Sequence, residues 1–272
     1  MWRTGLVLAK ALILSRLRGQ VKDFLSTLEE GTGLEIQFEA LPQSNEFASE
    51  YRFTVPDEPR IGLRDHWEDV DVAHELMHMK LELVEGYSVL AWHRNCVCSD
   101  SVQRAFRRIR NYTDDEVVHA RLSKEFGLKV DGQVIKPQLF QKYARAKSKL
   151  KKGRARYDDE MTALDDTEYG ELCRSAFLLQ AYSIQESYYK ELEPAHMNRL
   201  KGFIDAFETY LDKEAAKAKE VYALFRVDDA QSVEGHKQIL QKWAKMEGLD
   251  MFVGITSYRR CGTQFSLPYP ED

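Results

Sequence analysis

The sequence feature that most constrains this chain is the pentapeptide His-Glu-Leu-Met-His at residues 74–78. Residues four apart on an α-helix lie one turn above each other on the same face, so His74 and His78 can bind one metal ion together. Two imidazoles at this spacing are a known zinc-binding arrangement, and Glu75 is placed to act as a general base toward a water molecule. The pentapeptide therefore predicts a metal site and metal-assisted hydrolysis.

The residues around the pentapeptide predict that it lies on a buried helix over residues 67–84. Acidic residues stand near the start of this segment and Gly86 follows its end, which is the usual distribution of charges and caps. Apolar residues cover more than one side of the helix: Val70, Ala73, Leu76, Met77, Leu83 and Val84. The alternative is that both histidines are core residues hydrogen-bonded to backbone or carboxylate groups. Agreement between spacing, helix and burial favours the metal site.

Extended segments precede this helix. Residues 34–41 alternate apolar and polar side chains, and residues 51–55 with 60–63 could form a strand or hairpin. Together with the motif, these segments resemble the zincin superfamily of metallopeptidases over roughly residues 30–127. The resemblance implies an α+β fold in which a small sheet packs on the active-site helix. It also implies a zinc site, with Glu75 as the general base in the cleavage of a protein or peptide substrate.

A catalytic zinc site takes three protein ligands, so the sequence must offer one beyond the two histidines. The densest cluster of possible ligands lies at residues 110–119. Thr113 and Glu116 fit a capping box, which predicts a helix that starts there and ends at Gly127.

On that helix, a rotation of about 100° per residue places Asp115 near the middle of the apolar face. His119 falls to one side, and Asp114 and Glu116 point further away. Asp115 is therefore the predicted third ligand. Asp114, Glu116 and His119 are the alternatives, because acidic residues also gather at helix starts for dipole reasons alone.

Further residues near the motif have possible supporting roles. Glu82 and Glu85 share the helix face of the two histidines but lie one and two turns beyond them and would have to bend back to reach the metal. They are therefore predicted to support the ligands or to face the substrate. Asp71, one turn before His74, could orient an imidazole. Candidates for stabilising an oxyanion are His66, Tyr87, His93 and His119, and the sequence does not select among them.

Composition limits the remaining possibilities. The net charge of −5 in 272 residues does not favour nucleic acid or an anionic membrane as the main partner. Basic runs stand at residues 104–110 and 142–156. The second is interpreted as a solvated helix face that runs into a linker, with a contact to nucleic acid or an acidic partner as the alternative. No segment reaches about 18 uninterrupted apolar residues, so no membrane span is expected. Four cysteines, Cys96, Cys98, Cys173 and Cys261, fit a reducing compartment and a cytoplasmic location.

Both ends of the chain are predicted to be helical. Residues 5–28 have apolar residues at helical spacing and are interpreted as one amphipathic helix rather than a signal peptide. Helices are expected at 137–150, 166–191, 194–226 with a possible break, and 231–246. A change in composition at residues 151–160 suggests a linker. We therefore expect a zincin-like domain over residues 1–150 and a helical region over 151–272.

Two functions from different classes are compatible with the sequence. The first is a zinc-dependent peptidase with His74, His78 and Asp115 as ligands and Glu75 as the base. The second is a catalytically silent metal-binding sensor or interaction protein of the same fold. The intact Glu75 favours the peptidase, since a binding protein has no need of a general base.

Overall fold

The computed structural model describes residues 7–42, 49–53, 59–93, 100–128, 137–151, 178–186, 192–261 and 264–270. Helices and small sheets are both present, so the predicted α+β class is confirmed. The chain forms two compact units. Unit 1 comprises residues 1–89, 116–130 and 256–269, and unit 2 comprises residues 90–115, 131–255 and 270–272. Most of the predicted linker at 151–160 lies outside the described residues, and the division at residue 150 stays a prediction.

Unit 1 contains a four-stranded sheet and the helices that follow its strands. Its strands are β1 (Val7–Leu8), β2 (Gln37–Ala40), β3 (Ser49–Phe53) and β4 (Pro59–Leu63), in the spatial order β1-β2-β4-β3. Its helices are α1 (Lys10–Arg16), α2 (Gly19–Thr32) and α3 (Asp69–Met79), which continues into a π-helical turn at Lys80–Val84. Unit 1 also includes residues 116–126, the second half of helix α4 (Asp100–Phe126). The first half of α4 belongs to unit 2.

The strands before the motif helix pair as the sequence suggested. β3 and β4 are antiparallel, with Tyr51 opposite Ile61, so the predicted hairpin is confirmed with slightly shifted ends. β2 runs parallel to β4, with Phe38 opposite the same Ile61. The strand predicted at 34–41 is shorter than expected. Pro59 is the first residue of β4, where the missing N–H is tolerated.

The prediction of a single amphipathic helix over residues 5–28 is wrong. Residues 7–8 form β1, and the helical part is divided between α1 and α2 by extended backbone at Leu17 and Arg18. Arg18 explains part of this break, because its backbone N–H and its guanidinium both bind the carboxylate of Asp69 at the start of α3, with Nε–Oδ2 at 2.8 Å. A tertiary contact therefore fixes a bend that the apolar spacing did not reveal.

Helix α3 is buried, as predicted. Its N-terminus is closed by a capping box in which the Glu68 side chain accepts from the Asp71 N–H and the Asp71 Oδ2 accepts from the Glu68 N–H at 2.6 Å. Val72, Leu76 and Met77 are fully buried. The helix contacts β3, β4 and α2. These contacts hold the motif helix along its whole length.

Unit 2 is mainly helical. It contains the first half of α4 together with α5 (Pro137–Lys151), a helical stretch at 178–186, α6 (Pro194–Tyr210), α7 (Asp212–Leu224) and α8 (Val233–Met246). The predicted helices at 137–150, 194–226 and 231–246 are confirmed, including the break, which falls at Leu211. Of the helix predicted at 166–191, the structure describes only 178–186. The core of this unit is rich in aromatic side chains, including Phe140, Tyr143, Phe203, Phe207 and Trp243.

Four short strands were not predicted. β5 (Val89–Trp92) pairs with β6 (Val253–Thr256), and β7 (Arg259–Cys261) pairs with β8 (Gln264–Ser266). Each is three or four residues long, which is too short for an alternating pattern to stand out. Cys96, Cys98 and Cys173 lie outside the described residues. Among the helices that the structure describes, none has the length and apolarity needed to cross a membrane.

The packing of α3 can be tested at Leu76, which is fully buried. Leu76→Ala should lower the free energy of unfolding by about 2–5 kcal/mol, because it removes a large side chain and leaves a cavity. The matched control is Val84→Ala in the π-helical turn, where the side chain is 53% exposed and a change below about 0.5 kcal/mol is expected. Urea unfolding of both variants measures the difference. Equal effects would show that α3 is not packed as described.

Candidate metal centre

The two motif histidines face each other on α3. His74 Nε2 and His78 Nε2 are 3.0 Å apart, and the ring centroids are 4.7 Å apart in an edge-to-face arrangement. Both side chains are half-buried, and Glu75 between them is buried. The helical spacing therefore produces the convergence that the motif predicted. At this distance one ring nitrogen can donate a hydrogen bond to the other.

This separation fits a shared metal ion. Two nitrogens bound to one tetrahedral zinc ion lie about 3.3 Å apart, since each Zn–N bond is roughly 2.0–2.1 Å long. The observed 3.0 Å differs from that value by a few tenths of an ångström, which a small rotation of either ring can supply. The two Nε2 atoms are thus close enough to share one ion.

Asp115 is the acidic residue that forms a group of three possible metal ligands with His74 and His78. A nitrogen from each of His74 and His78 and a carboxylate oxygen of Asp115 all lie within 4.8 Å of one another. Asp115 lies within the continuous helix α4, next to Glu116. The sequence had selected this residue, and the structure brings it together with both histidines. Whether it binds a metal stays a prediction.

The predicted start of the downstream helix at residue 113 is wrong. α4 begins at Asp100, and Thr113 lies in its interior, fully buried. The Thr113 hydroxyl donates to the Ile109 carbonyl oxygen at 2.9 Å, one turn earlier, instead of capping a helix end. The predicted end is confirmed, because Gly127 adopts a positive φ of 60°. Asp115 is therefore held in the middle of a long helix rather than in a first turn, where helix ends fray.

Asp114 has a different position from the one predicted. The sequence placed it away from the interior, yet it is only 7% exposed. Its Oδ1 lies 2.9 Å from Nε2 of the buried His236, which is on α8, and its Oδ2 lies 3.5 Å from Nε of Arg110. Sequence reasoning did not single out His236, because a histidine on an amphipathic helix carries no signal of its partner. Asp114 thus has its hydrogen-bond and ion-pair partners, His236 and Arg110, within unit 2.

The other predicted candidates fall at different places. Of the described residues, neither Glu116 nor His119 belongs to a group with metal-binding distances. His119 nevertheless lies beside the site, with its ring centroid 5.3 Å from that of His74. His66 is exposed, and His93 Nε2 lies 3.2 Å from the Asp250 carbonyl oxygen. Among the four residues proposed for oxyanion stabilisation, His119 is therefore the one with a described contact to a motif histidine.

Glu82 lies close to His78, one turn further along the motif helix. The side chain is 4% exposed, and one of its carboxylate oxygens forms a second group with His78 and Asp114 in which the possible ligand atoms lie within 4.8 Å. Glu85 is directed elsewhere: it binds Lys80 and Arg121. The sequence had treated the two glutamates alike. In the structure their partners differ, since Glu82 faces His78 and Glu85 takes part in ion pairs.

An ionic network holds the π-helical turn against the second half of α4. Lys80 Nζ lies 2.7 Å from Glu125 Oε2 and 3.4 Å from Glu85 Oε1, and Arg121 Nη2 lies 2.7 Å from Glu85 Oε1. Arg121 also binds Glu125 within α4. All four side chains are about one quarter exposed. The network connects the end of the motif helix to the helix that carries Asp115.

The network also shifts the ionisation of its members. Burial by itself would raise the pKa of Glu125, but hydrogen bonds from Lys80 and Arg121 outweigh burial and lower that pKa below its usual 4.5. Burial raises the pKa of Tyr87, with Arg121 opposing the rise and Glu85 adding to it. Tyr87 therefore stays protonated at neutral pH.

The site has a donor set of two imidazoles and one carboxylate with a further buried carboxylate, Glu75, in the motif. Such a set suits a divalent ion that keeps an open position for water. Comparisons with protein-family models, curated proteins and solved structures found no match to this chain. The chemistry assigned to the site rests on its own residues.

Removal of each possible third ligand tests the site directly. Asp115→Ala should reduce bound zinc from about one ion per chain to well below half, because a three-ligand site loses its only carboxylate. Glu116→Ala and His119→Ala are neighbours on the same helix and should retain zinc. Metal analysis by mass spectrometry after extensive dialysis measures all three. Full zinc content in Asp115→Ala would show that another residue completes the site.

The network makes stability depend on pH in an acidic range. Because the pKa of Glu125 is lowered in the folded state, its contribution is present above the unfolded value of about 4.5 and is lost as the pH falls below it. Glu125→Gln should therefore have a lower unfolding free energy than the wild type at pH 7. Between about pH 5 and about pH 3, a range that brackets this pKa, its unfolding free energy should decline less steeply than that of the wild type. Glu30→Gln, at an exposed position, is the control. A slope unchanged by Glu125→Gln would contradict this role.

Proposed function

We propose that this protein is a zinc-dependent peptidase that uses Glu75 as a general base. The observation that carries the proposal is the convergence of His74 and His78, with Nε2 atoms 3.0 Å apart, together with an Asp115 oxygen within 4.8 Å. Glu75 follows His74 on the same helix and is buried. A pair of core histidines explains the convergence of the two rings but does not account for a carboxylate oxygen within 4.8 Å of both.

The surroundings of α3 support a zincin-type arrangement. α3 contacts β3 and β4, and β3 is an edge strand of the four-stranded sheet. An edge strand can pair with an extended peptide through main-chain hydrogen bonds, which suits a substrate that is itself a polypeptide. The proposal therefore includes a protein or peptide substrate presented along this edge.

The residues of the chain have separate parts in the proposed reaction. When bound, zinc would acidify a water molecule and polarise the scissile carbonyl group. Glu75 accepts the proton of the attacking water and later gives it to the leaving amine. His74, His78 and Asp115 hold their donor atoms toward one point. His119, whose ring lies 5.3 Å from that of His74, is suited to donate a hydrogen bond to the carbonyl oxygen as negative charge develops there.

The substitution Glu75→Gln tests this function, because it removes the base and keeps the shape of the side chain. Peptide cleavage should fall by roughly 10²–10⁴-fold, the usual contribution of a general base. Zinc content should stay near that of the wild type, since Glu75 is not one of the proposed ligands. The measurement is the set of new peptide termini produced from a proteome-derived peptide library, compared between the wild type and the variant by mass spectrometry.

Two results would contradict the proposal. Cleavage by Glu75→Gln at the wild-type rate would show that any peptidase activity comes from elsewhere. A wild-type protein that binds one zinc ion per chain and cleaves no peptide in the library would favour the metal-binding sensor instead.

A further inference from the structure

The end of the motif helix changes its geometry at the site. α3 is α-helical to Met79, and residues Lys80–Val84 form a π-helical turn, in which the Glu85 N–H donates to the Lys80 carbonyl oxygen five residues earlier, at 3.0 Å. π-turns within α-helices are rare and frequently occur at functional sites.

The wider turn changes which side chains face the histidines. Four α-helical steps rotate a side chain by about 400°, which overshoots a full turn by about 40°. Each π-helical step rotates by less, so Glu82 comes closer to alignment with His78 than on a regular helix. In agreement, a carboxylate oxygen of Glu82 lies within 4.8 Å of a ring nitrogen of His78, and the side chain is only 4% exposed.

The second ring nitrogen of a metal-bound His78 needs a hydrogen-bond acceptor, and the Glu82 carboxylate lies close to this ring. Nε2 of His78 faces Nε2 of His74, so a metal bound by the pair uses Nε2 and leaves the hydrogen of His78 on Nδ1. Metal-bound imidazoles nearly always donate this second N–H to a carboxylate, a carbonyl or water, which fixes the ring and increases its basicity. Asp114, the other acid near His78, already binds His236 and Arg110.

We propose that Glu82 is a positioning residue: through the π-helical turn, its carboxylate accepts the Nδ1 hydrogen of His78, directly or through one water, and orients the ring for the metal. The inference rests on the proposed metal centre, though not on peptidase activity. The ionic network contributes by anchoring both flanks of the turn, since Lys80 and Glu85 are each tied to α4. Glu85, although only three residues away, takes part in that network and is not directed at His78.

The test compares Glu82→Gln with its matched control Glu85→Gln. Zinc affinity, measured by competition with a chromophoric chelator, should weaken by about 10–100-fold in Glu82→Gln, the usual effect of losing such a partner. It should change by less than about 3-fold in Glu85→Gln, which leaves the His78 contact intact. His78→Ala, which removes a ligand, should lose zinc altogether. The visible spectrum of the cobalt(II)-substituted protein should keep its tetrahedral bands in Glu82→Gln, because the ligands are unchanged.

Several outcomes overturn the inference. Wild-type affinity in Glu82→Gln would show that Glu82 does not orient His78, and a loss equal to that of His78→Ala with altered cobalt bands would make Glu82 a ligand. An equal loss of zinc affinity in Glu85→Gln would show that any disturbance of the π-helical turn weakens zinc binding. If Glu82→Gln unfolds, Glu82→Asp retains the acceptor and must bind zinc more tightly than Glu82→Ala. Failure of the proposed function differs from all of these, because it appears as absent cleavage with zinc affinities unchanged.

Discussion

The structure of unit 1 depends on burying a helix that carries polar side chains into the interior. Asp71 and Glu75 are almost fully buried on α3, and the two histidines are half-buried beside them. Polar groups removed from water need partners, and charged groups need them most. Asp71 has its partner in the capping box at the start of the helix. For the histidines, the geometry of one helical turn brings two nitrogens to 3.0 Å, a distance that a hydrogen bond or a shared metal ion satisfies.

Helix α4 supplies the rest of the candidate centre, and it does so because it is long. A helix that started at residue 113 would place Asp115 in a first turn, where side chains commonly cap the helix and face solvent. With its start at Asp100, the helix holds Asp115 in its interior, with Asp114 bound to His236 and Arg121 bound to the end of the motif helix. One continuous helix therefore carries the third potential ligand and the residues of the ionic network that contacts the π-helical turn.

Some of this arrangement was predictable from local sequence, and some was not. The motif helix, the β3–β4 hairpin and the convergence of His74 and His78 follow from periodicity and from residue spacing, which are properties of a few neighbouring residues. Asp115 was selected from its angle on the α4 face, and that angle does not depend on where the helix starts. The start itself was misplaced, because Thr113 and Glu116 form a capping signature in sequence whether or not residues 100–112 are helical. The N-terminal helix was overextended for a related reason: the bend at Leu17 and Arg18 depends on Asp69, about fifty residues away.

The sequence by itself determined that two imidazoles and a glutamate share one turn of a buried helix, because that relation is fixed by the geometry of the α-helix and by apolar spacing. Only the tertiary structure decided which acids lie near them. Asp114 is bound to the buried His236, and Glu82 lies near His78 in a π-helical turn whose flanking residues make ionic contacts with α4. Both outcomes depend on contacts between residues far apart in the chain, and no pattern within either segment encodes them.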